Sequence, residues 1–87
     1  MKFAIGDKVF LQTITNYFTG KILRQEENFI VLESAAWIAS TGHRFHDALK
    51  TGEFGEVEPV PFPEFFVNMD SVVSGCLWPH DLPTEQI

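Results

Sequence analysis

The chain holds a single cysteine, Cys76, so no internal disulfide can staple it, and nothing suggests an oxidising compartment. Basic residues are scarce: six Lys and Arg stand against twelve Asp and Glu, a net charge of −6 over 87 residues. That balance disfavours broad adhesion to nucleic acid, which needs cations against phosphates. It equally disfavours anionic membrane surfaces. No apolar run approaches the ~20 residues of a membrane span, and the opening MKFAIGDKVF lacks the apolar stretch of a secretory signal. The expected setting is the cytoplasm. No nucleophile–base pair stands in a recognisable context, and Cys76, between Gly75 and Leu77, reads as a small strand residue. No enzyme and no cofactor is expected.

What is present is a foldable core. Hydrophobic residues make up 45 % of the chain and nine of them are Phe, a composition that a disordered segment would lack. The length suits one domain, 1–87. Domains of this size bury only somewhat more than about 60 % of their unfolded surface, so association between copies is a natural way to add core.

The apolar pattern is mostly of period two. Residues 8–15, KVFLQTIT, read as a first strand, with Val9, Leu11 and Thr13 facing a small core. Phe10 and Ile14 face the other way, toward a subunit or ligand. Residues 17–24 give a second strand, in which Gly20 marks a bend. After the charged tip 24–27, residues 28–33 give a third. The period then changes. Residues 34–39, SAAWIA, contain helix formers for a turn or two, and 43–50 place Phe45, Ala48 and Leu49 at helical spacing with Gly52 to end the helix. Residues 53–64 carry three prolines in five residues and four glutamates, a stiff connector across the sheet with Val57, Val60 and Phe62 tucked in. Residues 65–69 and 71–78 complete a set of five strands, and 79–87 form an irregular tail.

Three strands, an insertion (35–62) and two more strands predict a mainly β, five-stranded Sm-like or SH3-like barrel with a short helical insertion between strands 3 and 4. In Gly20-Lys21-Ile22, Glu26-Glu27-Asn28 and Ile30-Val31-Leu32 the chain resembles the first motif of the Sm-like (LSm-type) superfamily. Residues 66–73, FVNMDSVV, resemble its second motif. The resemblance implies a homo-oligomer joined through edge strands, and it implies that Asn28 contacts nucleotides. The second-motif turn is Met69-Asp70, acidic where a phosphate needs a cation, so general RNA binding is not expected. The chain is also similar to a group of small phage and prophage proteins, through Tyr17-Phe18-Thr19-Gly20, Ala35-Ala36-Trp37-Ile38-Ala39, Glu56-Val57-Glu58-Pro59 and Trp78-Pro79-His80-Asp81-Leu82-Pro83.

The candidate ligand-binding residues are Asn28, Trp37, His43, Arg44 and Phe45. Four of them lie in the insertion, where aromatic rings and a guanidinium could stack a base and hold a phosphate. His43 and His46 stand at i, i+3, but a metal needs three or four converging ligands, and no metal site is expected. The reading that follows is a non-catalytic, phage-type accessory protein, a homo-oligomeric barrel that captures a small nucleotide-like ligand such as a host-defence signalling nucleotide. Two others stay open: a structural, assembly or protein-interaction module of the phage, and a binder of short single-stranded RNA.

Overall fold

The computed structural model describes residues 3–42 and 44–87. Six antiparallel strands form one sheet: β1 (Lys8–Thr13), β2 (Tyr17–Glu26), β3 (Phe29–Ser40), β4 (Glu56–Pro59), β5 (Phe65–Asn68) and β6 (Val72–Leu77). A single helix, α1 (Phe45–Thr51), lies between β3 and β4, and a 3-10 turn, Met69–Ser71, joins β5 to β6. The strand order is β4-β3-β2-β1-β6, with β5 also paired to β3. The sheet curls but does not close into a barrel, because β5 bonds only to β3 and β6 only to β1. Six strands in an open ladder thus stand where the sequence predicts a five-stranded barrel.

The sixth strand comes from the insertion. Residues 35–39, expected to turn as a helix, continue β3 to Ser40. Their burial has period two: Ala36 and Ile38 are buried, and Trp37 and Ala39 exposed. Good helix propensity in Ala-Ala loses to burial on both sides of a sheet. Part of the stiff connector pairs with this extension as β4, joining Ile38 to Val57 and Trp37 to Glu58. Val57 is fully buried and Val60 half-buried, as expected, but Phe62 is exposed rather than tucked in. β3 therefore carries two neighbours along one edge, β5 on its first half and β4 on its second.

The bend between those halves sits where Gly20 was expected to mark one. The β2–β3 register shifts between Thr19 and Lys21 and again between Ile22 and Arg24, and Ser34 opposite adopts φ 50°. A Cβ on Gly20 would stand 3.0 Å from two side-chain atoms of Leu32, so the leucine occupies the space that glycine leaves.

The curled sheet is buried on both faces. Inside the curl lie Val9, Leu11, Ile22, Ile30, Leu32, Ala35 and Val67. On the other face lie Phe10, Ala36, Ile38, Ala48, Phe54, Val57 and Trp78. That second layer overturns one expectation: the Phe10 face is not left for a subunit or ligand but is covered by the chain's own helix and tail. Helix α1 forms over nearly the expected span and ends at Gly52, whose N–H donates to the Ala48 carbonyl and whose φ of 77° turns the chain out of the helix. The tail is fixed over it. His80 Nε2 donates to the Leu49 carbonyl at 2.9 Å, Lys8 Nζ donates to the His80 carbonyl at 2.7 Å, and Ile87 exchanges backbone hydrogen bonds of 3.1 and 3.3 Å with Val57.

Thr19 is fully buried, and its Oγ1 finds no hydrogen-bond partner among the described residues. Leaving a buried hydroxyl unpaired costs about 1–3 kcal/mol, and an apolar group of the same shape avoids that cost. Thr19→Val is therefore expected to raise stability by about 1 kcal/mol, read as a higher urea midpoint at unchanged slope. An unchanged or lower midpoint would show that the hydroxyl is satisfied in solution.

Candidate functional site

The five candidate ligand residues do not converge within one copy of the chain. Trp37 and Phe45 lie on opposite faces of the sheet. Phe45 belongs to the aromatic layer, with its ring 5.4 Å from Tyr17 and 5.9 Å from Phe10. Trp37 alternates with buried Ala36 and Ile38, so its ring points away from that layer and is 37 % exposed. Arg44 precedes α1 and is exposed; its carbonyl accepts from Ala48 N at 3.0 Å, and its guanidinium is in no ion pair among the described residues. His43 lies outside the described residues.

Asn28 is committed to a loop clamp. Its Nδ2 donates to Asn68 Oδ1 at 3.0 Å, and its carbonyl accepts from Met69 N at 2.8 Å. The same Asn68 oxygen accepts from Asp70 N at 2.8 Å, capping the 3-10 turn, and the Asn68 carbonyl accepts from Ser71 Oγ at 2.7 Å. Sequence reasoning found Asn28 but not its partner, because the pairing spans forty residues. A second tie runs parallel to it: Arg24 binds Glu64 through two hydrogen bonds of 2.9 Å and Glu26 through a third of 2.8 Å. The Arg24 hydrogen bonds hold the Glu64 carboxyl below its ordinary range and the guanidinium above its own. Both groups are exposed, so salt and solvent weaken what this pair contributes.

The other polar candidates are equally undramatic. His46 is exposed with its ring 5.5 Å from that of Phe45, and His80 serves the tail. No group of three His, Cys, Asp or Glu side chains among the described residues is placed to hold a metal. Partial burial pushes the Cys76 thiol up, which leaves less thiolate at neutral pH.

Two features escaped the sequence reading. The first is a pair of hollows where the sheet fails to close, bordered by β5, the 3-10 turn and β6. One, of about 450 Å³, is lined by Phe3, Ile30, Met69 and residues 72–75. The other, of about 440 Å³, includes Ile14, Phe18, Phe65 and Phe66. Among the described residues no charged side chain lines either hollow. Beside them the outer strand β6 presents Val73 and Leu77, 60 % and 59 % exposed. The absence of charge from residues 71–78 was the available signal. The second feature is a groove of about 370 Å³ beside Trp37, walled by Pro59 and Pro61 with Glu58 and Gln86 at its rim. It was hidden because 56–59 read as a connector, so nothing placed Glu58 across from Trp37.

No protein-family model, curated protein or solved structure shows a significant match to this chain.

Proposed function

We propose that the protein is a non-catalytic, self-associating module in which the free edge of β6 on one copy pairs with the free edge of β5 on the next. The carrying observation is that, among the described residues, both strands end the ladder with one partner each, around hollows without a charged lining residue. Charge depletion with aromatic enrichment is the mark of an interface core. An open strand edge is a template for pairing, and exposed edges are usually blunted with Lys or Pro; β6, VVSGCL, has neither. Because the two edges differ, the contact is heterologous and generates a ring if the rotation closes and a filament if it does not. The strand order, β6-β1-β2-β3-β5 with β4 added, supports an opened Sm-like barrel as the unit.

Sedimentation velocity tests this reading. The wild-type chain is expected to sediment as an oligomer, and the double variant Val73→Lys with Leu77→Lys as a monomer of unchanged far-ultraviolet circular dichroism. A wild-type chain that sediments at its 9.9 kDa monomer mass would overturn it.

A nucleotide pocket completed between copies is the second reading, and what favours it is Arg44, exposed and outside every ion pair among the described residues. Native mass spectrometry of protein purified from host cells separates the two. A few-hundred-dalton adduct lost on Arg44→Ala supports the pocket; a bare oligomer supports self-association alone. The phage setting, as an accessory or assembly protein in the host cytoplasm, rests on the sequence resemblance. No helix among the described residues is long and apolar enough to cross a membrane.

A further inference from the structure

We propose that the groove beside Trp37 binds the cationic side chains of a basic peptide. This inference is argued separately from edge pairing, since no residue lining the groove lines either hollow.

Trp37 differs from the other exposed apolar residues in being held for use. Its Nε1 donates to Asn16 Oδ1 at 3.2 Å, which fixes the ring plane while 37 % of the residue stays in solvent. The walls, Pro59 and Pro61, have backbones restricted at φ, so the groove is formed before anything enters it. Glu58 is the direct cross-strand partner of Trp37 in the β3–β4 ladder. Such partners point to the same side with Cβ atoms roughly 5 Å apart. Its carboxylate makes no ion pair among the described residues.

The sign of the ligand follows from that pairing. The face of an indole ring is electron-rich and attracts cations, and the carboxylate beside it attracts the same charge. Among the described residues no cationic side chain lines the groove, so a phosphate would meet repulsion from Glu58 with nothing there to offset it. Guanidinium fits better than ammonium, because it stacks flat on the ring while donating in plane to the carboxylate. Glu56, two residues along β4 and also exposed, extends the acidic rim for a second cation on the same peptide. The net charge of −6 adds long-range attraction for such a partner.

The test uses the intact protein and the peptide Arg-Gly-Arg-Gly-Arg. Fluorescence anisotropy of a labelled peptide gives affinity, and the two indole N–H resonances of ¹⁵N-labelled protein give the place. Trp78 is the internal control: it is 3 % exposed, and its Nε1 is bonded to the Asp81 carbonyl. The expected result is that the Trp37 resonance moves and that of Trp78 does not. Glu58→Gln is expected to weaken binding about three- to tenfold, and Trp37→Leu to remove it, with the Trp78 resonance unmoved as proof of folding. An unmoved Trp37 resonance, equal binding by the Glu58→Gln variant, or an equal shift of Trp37 by adenosine monophosphate would each overturn the proposal.

Discussion

Replacing Phe10 with alanine will cost about 3–5 kcal/mol, the range for deleting a large side chain from a packed core. The residue is 2 % exposed and stands at the centre of the outer aromatic layer. Its ring lies 5.6 Å from Trp78, 5.6 Å from Tyr17, 5.9 Å from Phe45 and 6.0 Å from Phe54. These partners come from β2, the helix, the loop after it and the start of the tail, so one deletion loosens four segments at once. Domains of this kind hold only about 5–15 kcal/mol in total, so this one side chain accounts for a large share of the stability. Phe10→Leu keeps most of the buried area but loses the ring pairs, and will cost about 1–2 kcal/mol. Urea titration followed by circular dichroism reads both. Equal, small losses for the two variants would mean that helix and tail do not cover this face in solution.

Gly55→Ala is expected to be far more damaging than Gly20→Ala. A Cβ there would lie 2.6 Å from the Gly42 Cα and 2.9 Å from the Gly42 nitrogen. Backbone meets backbone at that crossing, and Gly42 is itself held at φ 71°. The contrast is Gly20→Ala, which meets Leu32 Cβ and Cδ1 at 3.0 Å; the Cδ1 can rotate away, so only the Cβ contact must be absorbed by a small shift. Overpacking against a movable neighbour costs about 1–3 kcal/mol, and Gly55→Ala should reach or exceed the top of that range because nothing there can give. A ranking in which Gly20→Ala is the worse variant would contradict the close crossing. A Leu32→Val background, which removes the Cδ1 contact and keeps the Cβ one, should relieve Gly20→Ala in part and leave Gly55→Ala unchanged.

Much of the fold was legible in residues. Val9, Leu11 and Thr13 announce one buried face of β1 by alternation alone, and Phe45, Ala48 and Leu49 with Gly52 announce the helix and its end. The second half of β3 was not legible, because Ala35 and Ala36 have helical propensity and only the distant strand β4 makes them extended. Proline in the connector argued against a strand, yet an edge strand tolerates proline at its end, where β4 places Pro59. The candidate site fared differently. Residues close in sequence, Trp37 and Phe45, were read as one cluster, but the alternation of β3 and the helix that follows it send them to opposite faces. Sequence proximity is a poor guide to a site wherever a strand intervenes. The residue that matters beside Trp37 is twenty-one positions away, Glu58, and only the ladder register brings it there.

The order of the strands also sets a sequence of events in time. β1 is flanked by β2, its neighbour in the chain, and by β6, made from residues 72–77. A chain emerging from the ribosome can form the β1–β2–β3 meander early, but β1 keeps an unpaired edge until residues 72–77 are made. Non-local pairing of this kind slows folding and leaves sticky intermediates exposed. Crowded synthesis of many copies is then the moment at which the β1 edge of one nascent chain can capture the β6 segment of another.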